Sequence, residues 1–141
     1  MNAFGLTADT DLEAALRSFA SEVVERKATE FLFHQGEKPH GCYLIKKGVL
    51  RLSIQAHEGD PIIQKVIGKG SVVGLPATIN GGAYSLSCEI LEDAELAHLS
   101  RQDLTLLLRS DTAMAIKILD LLSSEVHAVR SELAKLPRTQ S

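Results

Sequence analysis

The chain has no tryptophan, two tyrosines, four phenylalanines, four prolines and two cysteines in 141 residues. Cys42 and Cys88 stand alone in apolar, strand-like runs, and read as buried, reduced thiols. Two thiolates also fall short of what an iron–sulfur cluster needs. No apolar run approaches the roughly 20 residues of a membrane-spanning helix. The N-terminus lacks a basic stretch followed by an apolar one, so a signal peptide is not expected either and the chain reads as cytoplasmic. Basic runs never exceed a pair such as Lys46-Lys47, and the formal net charge is −3. With no basic patch or stripe, direct DNA binding by this chain is not expected. No histidine pair has metal-ligand spacing, since His34 and His40 are six positions apart and His57 lies in a turn-like stretch. Ser85 and Ser87 have no histidine close in sequence to act as a base, and no enzyme is expected. The loop Ile79-Asn80-Gly81-Gly82-Ala83 lacks the lysine and hydroxyl of a phosphate loop and reads as a tight turn. One histidine suffices as an axial haem ligand, which leaves His34 and His98 as candidates for that role.

What is present divides the chain into three zones: residues 1–22, 23–100 and 101–141. An apolar content of 45% suits one globular domain long enough to bury its own core. In the first zone Thr10 and Glu13 have capping-box spacing, and Leu12, Ala15, Leu16 and Phe19 follow at helical intervals. The second zone holds nine of the ten glycines, between Gly36 and Gly82, separating short β-rich runs. The runs are Phe31–Phe33, Cys42–Lys46, Val49–Gln55, Ile62–Ile67, Val72–Val73, Tyr84–Leu91 and Glu95–Leu99. Turn signals between strands this short predict a β-sandwich, jelly roll or barrel, with Glu58-Gly59-Asp60-Pro61 turning one hairpin.

The third zone is helical. Ser100 and Asp103 predict a capped short helix with Leu104, Leu107 and Leu108 on one face. A long helix then starts at Ser110 or Asp111 and reaches about Leu136, where Pro137 stops it. Along it Ala115, Leu119, Leu122, Val126, Val129, Leu133 and Leu136 alternate steps of four and three, a narrow heptad seam. Beyond Leu122 the remaining positions include Glu125, Arg130, Glu132 and Lys135, so the seam lacks a partner within the chain. A second copy supplies one, predicting a parallel homodimer. A second stripe of Met114, Ile118 and Leu121 is left to pack on the β-zone.

The segment FLFHQGEKPHGCYLIKKGVLRL (Phe31 to Leu52) carries Gly36-Glu37, Tyr43, Ile45 and Gly48, and Gly70 and Gly74 follow in GKGSVVGLPATINGGAYS (Gly68 to Ser85). With the order of β-rich zone and long helix, this spacing resembles the sensor half of the cyclic-AMP receptor protein (CRP/FNR) superfamily over about Phe19 to Leu136. The resemblance implies a mainly β cyclic-nucleotide-binding roll of jelly-roll type, preceded by a short helix and followed by a long dimerisation helix. Such regulators continue into a helix-turn-helix DNA reader. This chain, beginning at Met1 and ending on a polar tail at Ser141, is expected to be complete without one.

By the same resemblance, a glutamate after the cassette glycine holds the ribose and an arginine holds the cyclic phosphate. Here Leu75 and, allowing a one-residue deletion, Tyr84 fill those places, while Ser85 keeps the small hydroxyl beside the arginine. A cyclic phosphate needs a charged, hydrogen-bonding partner once it leaves water. Losing the ribose acceptor costs ~1–3 kcal/mol and losing the charged phosphate contact ~1.5–3 kcal/mol. Together that is roughly a hundred-fold or more in affinity. The implied pocket is Val72, Gly74, Leu75, Pro76, Ala77, Tyr84, Ser85 and Leu86, apolar enough for a small neutral ligand or for none. The purine-contacting pair of the family maps by helix register to His127 and Ala128, with Ser123 and Ser124 one turn earlier as substitutes. A regulatory sensor module with a degenerate cassette and no resident cofactor is the leading reading. The alternatives are a genuine cyclic-nucleotide binder, such as the sensor half of a transcription regulator, and a protein-interaction subunit with a vestigial pocket. Leu75→Glu with Tyr84→Arg is expected to restore nucleotide affinity if the missing charges alone silence the site.

Overall fold

The computed structural model describes residues 6–55 and 61–135, so the expected turn at Glu58-Gly59-Asp60 and the seam residue Leu136 fall outside the described residues. The chain runs β1 (Leu6–Thr7), α1 (Thr10–Phe19), β2 (Glu22–Arg26), β3 (Phe31–Phe33), β4 (Cys42–Gln55), β5 (Pro61–Ile67) and β6 (Ser71–Val73). It continues through α2 (Leu75–Asn80), β7 (Ser87–Leu99), α3 (Arg101–Ser110) and α4 (Thr112–Ala134). All strand pairs are antiparallel, in the order β1-β6-β4-β7-β2, with β3 added to β7 and β5 to β4. This is the expected β-roll between helices.

Two expected breaks in the strands are absent. The runs on either side of Gly48 form one strand, β4, and the runs on either side of Asp93 form β7. The β4–β7 ladder absorbs both interruptions by shifting register between Ile45 and Leu50, where bulges occur. Tyr84, Ser85 and Leu86, read from sequence as strand, precede β7. The short strand β2 escapes the sequence because Glu22, Glu25 and Arg26 flank its valines and no residue of it is fully buried.

Alternation along β4 builds two cores. Tyr43 and Ile45 point into the roll, where they meet Phe33, Leu50, Leu52, Val73, Ile90 and Leu96. Cys42 and Leu44 point the other way, into a cluster with Leu12 and Leu16 of α1, Leu99 of β7, Leu104 and Leu107 of α3, and Met114 and Ile118 of α4. A strand buried on both faces cannot show the polar alternation of a half-exposed one, which is why Cys42–Ile45 reads as a continuous apolar run.

The helix caps follow the predicted logic with one correction. Asp9, not Thr10, caps α1: its backbone is extended and its Oδ1 accepts the Leu12 N–H at 2.8 Å. Glu13 instead pairs with Arg17 one turn on, at 2.6 Å. Ser100 and Asp103 form the expected reciprocal capping box on α3. Asp111 accepts the Met114 N–H at the start of α4. Asp9 also forms an ion pair with Lys117, tying α4 to the start of α1.

On α4, Met114 and Ile118 are buried in the helical cluster as the second stripe requires, and Leu121 and Leu122 pack partly against it. Of the seam, Ala115 is half-buried, while Leu119 (63%) and Val126 (55%) are exposed. Ile116, one position off the seam, is also exposed. The side chains of Val129 and Leu133 lie outside the described residues. No described helix is long and apolar enough to cross a membrane.

Candidate functional site

The pocket forms at the inner mouth of the roll, where β6 ends and α2 begins. Gly74 makes that turn in the left-handed region (φ +80°), and its carbonyl accepts both the N–H and the hydroxyl of Thr78. A side chain at Gly74 would also lie 3.0 Å from Tyr84 Cε1 and 3.1 Å from the Gly41 carbonyl oxygen, so the position requires glycine. Val72, Gly74, Pro76, Ala77, Tyr84, Ser85 and Leu86 line the pocket as the resemblance implied. Phe33, Leu52 and Val73 complete it, and sequence reasoning missed all three. Among the described residues, no lining side chain is charged.

Leu75 is elsewhere. Its side chain is 1% exposed and belongs to the helical cluster with Leu44, Leu99, Leu104 and Leu107, on the far side of α2 from the pocket residue Ala77. The expectation that Leu75 lines the pocket is therefore corrected. Neighbouring helix residues project in different directions, and burial between α2 and α3 decides which way a leucine turns. Ser123 and His127 are exposed on α4 and are not among the lining residues.

Tyr84 packs tightly into one wall of the pocket. Its ring, 2% exposed, lies parallel to Phe33 with centroids 3.8 Å apart and 9° between planes, and His40 meets it edge-on at 5.4 Å. The hydroxyl donates to the Gly41 carbonyl at 2.6 Å and accepts the His40 N–H at 3.1 Å. The Tyr84 backbone is also held, by the Gly36 N–H on its carbonyl and the Glu37 carbonyl on its N–H. What remains of the pocket is about 10 Å³, the scale of one water molecule. Burial pushes the Tyr84 phenol up to about 12, against the opposing hydrogen bond from the His40 N–H.

The loop that receives the hydroxyl is itself braced. Gly41 has φ +131°, and a side chain there would collide with His98 Nε2 and approach the Leu99 carbonyl to 2.6 Å. His98 Nε2 lies 2.7 Å from the His40 carbonyl, an acceptor only, so this nitrogen carries the proton and donates. His98 Nδ1 stands 3.4 Å from Glu22 Oε1 on β2. Buried Nδ1 makes no hydrogen bond among the described residues. The Tyr43 hydroxyl reaches His40 Nδ1 at 2.8 Å, and the Tyr43 ring packs on His98. Burial lowers the His40 pKa, with Glu37 opposing, and raises that of Tyr43. His98, one of the haem candidates, thus has its Nε2 engaged by backbone, while His34, the other, is exposed and stacks on Phe31 at 4.4 Å. Among the described residues no group of three His, Cys, Asp or Glu is placed to hold a metal ion.

The comparisons with known proteins agree on the fold. Patatin-like phospholipase domain-containing protein 7 of Mus musculus is 27% identical over 108 residues, which is 77% of this chain and 8% of that protein. The Anaerobic regulatory protein of Bacillus subtilis is 24% identical over 128 residues, 90% of this chain and 53% of the regulator. The chain thus spans about half of one relative and a small part of the other. The catabolite activator protein of Thermus thermophilus superposes with a TM-score of 0.78 at 24% identity, covering 89% of this chain and 59% of that one. The domain therefore occurs in regulators and as a minor part of a protein named for a phospholipase. The sequence profile of the cyclic nucleotide-binding domain matches residues 23–111, from β2 to the end of α3, and with more than half its length inside that match the chain belongs to the cyclic nucleotide-binding domain family.

Proposed function

We propose that the chain is a non-enzymatic, dimeric regulatory sensor domain whose pocket does not take cyclic-AMP or cyclic-GMP with useful affinity. The observation that carries this reading is the Phe33–Tyr84 stack, which occupies an uncharged pocket and leaves room for about one water. A cyclic nucleotide would have to expel Tyr84, break both hydrogen bonds of its hydroxyl, and then find no cation for its phosphate. Its effector is a small neutral molecule, or it has none. The exposed Leu119 and Val126 on α4 support self-association through that helix.

Calorimetric titration of the native protein with both cyclic nucleotides tests the ligand reading. Heats absent up to high micromolar concentration are expected, and low-micromolar binding of either nucleotide would overturn it. Light scattering tests the dimer: twice the chain mass is expected at micromolar concentration, and a native monomer would refute it.

A further inference from the structure

The Tyr84 side chain, at the wall of the pocket, meets a specific set of contacts to its phenol. One face of the Tyr84 ring is covered by Phe33 in parallel stacking and an edge contact comes from His40. Its hydroxyl meets one acceptor, the Gly41 carbonyl, and one donor, the His40 N–H, both fixed on a backbone that Gly41 and His98 hold in place. A carbonyl accepts only from a protonated hydroxyl, so this pair selects the neutral phenol over the phenolate. A flat ring between apolar walls, with one donor–acceptor pair at the far end, is how a site for a small aromatic alcohol is built.

We infer that Tyr84 is the pocket's own ligand, and that the chamber between Phe33, Gly74 and the His40–Gly41 backbone is a recognition site for small neutral phenols, occupied intramolecularly. This rests on the reading above that the pocket is a sensor site. It adds the ligand chemistry and a route for its effect. The ring abuts Gly74 at the start of α2, and the end of α2 is joined to α3 by Arg101, which donates to the Ile79 carbonyl at 3.3 Å. On its other face α2 places Leu75 in the cluster that contains Leu104 of α3 and Ile118 of α4. Occupancy of the chamber therefore braces α2 and, through it, the helical layer. An external effector that uses the chamber has to displace Tyr84, and so must offer an equivalent ring and neutral hydroxyl.

The test is removal and replacement of the internal ligand. Tyr84→Gly deletes the side chain, and 4-methylphenol is the missing group as a free molecule. The variant is expected to bind 4-methylphenol with a folded-state stabilisation that rises with concentration. It should prefer it to toluene by roughly tenfold or more, because toluene leaves the Gly41 carbonyl and His40 N–H unpaired. Benzoate should bind worse than either. Hydrogen exchange at the Thr78 and Gly81 amides, which close the turns of α2 onto Gly74 and Ala77, should accelerate on the order of tenfold in the variant and recover with 4-methylphenol. The native chain should ignore 4-methylphenol at the same concentrations.

A folded glycine variant that ignores 4-methylphenol, or that binds toluene equally well, overturns the inference. Equal binding of 4-methylphenol by native chain and variant does so too, since the chamber would then not be occupied by Tyr84. Should the glycine variant fail to fold with or without the phenol, Tyr84→Phe decides. Lower stability and faster α2 exchange than native support hydroxyl recognition, and native behaviour refutes it. Failure of the wider reading looks different: it is low-micromolar binding of a cyclic nucleotide by the native chain, measured without any variant.

Discussion

Leu75 and Tyr84 stand at the two places where the family resemblance calls for charge, and they pack in opposite regions of the molecule. Leu75 leaves the pocket altogether and becomes part of the helical core between α1, α3 and α4. Tyr84 packs in the roll against Phe33, with its hydroxyl satisfied by backbone. One side chain packs into the helical layer and the other into the roll. On the reading proposed above, the site is more than a nucleotide pocket with two charges missing, and adding the charges back is not expected to recreate it.

The largest effect that separates the two positions comes from Leu75→Glu, alone or with Tyr84→Arg. From the sequence, the double variant is expected to restore nucleotide binding if the missing charges alone silence the site. With Leu75 at 1% exposure among aliphatic side chains, a carboxylate there has no partner and costs several kcal/mol. Loss of cooperative folding in urea, followed by circular dichroism, is the expected result. A folded double variant that gains tenfold in cyclic-AMP affinity would show that α2 can turn this side chain to the pocket.

Truncation gives a gentler version of the same contrast. Leu75→Ala should lose ~2–5 kcal/mol, as large-to-small changes in a packed core do. Tyr84→Phe keeps the stack and removes only the hydroxyl, leaving the Gly41 carbonyl and His40 N–H unpaired for ~1–3 kcal/mol. Chemical denaturation of both variants should rank them in that order. The reverse ranking would mean the roll, not the helical layer, is the less forgiving core.

Alkaline pH acts on the roll side of the comparison. Tyr84 ionises near 10.0 when unfolded and at about 12 when folded, because burial disfavours the phenolate. The folded state therefore holds its proton more tightly. The resulting stability is present below pH 10 and is lost as pH rises from 10 towards 12. Denaturation midpoints should fall over that range, and Tyr84→Phe should fall less steeply. With two tyrosines and no tryptophan in the chain, tyrosinate absorbance can follow the ionisation directly. An unchanged slope in Tyr84→Phe would place the titrating group elsewhere.

The smallest effect on stability, and the one that leaves both cores alone, is expected on α4. Leu119→Glu with Val126→Glu changes side chains that are 63% and 55% exposed, so stability should move by less than ~0.5 kcal/mol per site. The chain mass by light scattering should nevertheless fall from dimer to monomer. Leu122, a seam residue by heptad spacing, is the wrong choice for this test because it packs partly against the helical cluster.

The legibility of the chain follows the same division. Phe31–Phe33, β5, β6, the Ser100 cap and the buried stripe of α4 are all local patterns, and the sequence carries them. Breaks at Gly48 and Asp93 look like turns locally, yet cross-strand pairing of β4 with β7 carries the ladder through them. The direction of Leu75 depends on what α3 offers, and the Tyr84 stack joins side chains 51 positions apart through Phe33. Neither leaves a periodic trace. Glycine spacing gave away the frame of the site, whereas its contents are set by contacts between distant segments.

Cys42 and Cys88, read first as buried, reduced thiols, fall one in each core: Cys42 in the helical cluster, Cys88 in the roll. Both are fully buried, and burial pushes the Cys42 thiol up to about 12 and raises that of Cys88 too. A thiol reagent can reach either one only when its layer opens, since the thiolate is the reacting form. The chain therefore carries two native labels, one per layer, whose separate labelling rates time the opening of the roll against the undocking of the helices without a single engineered residue.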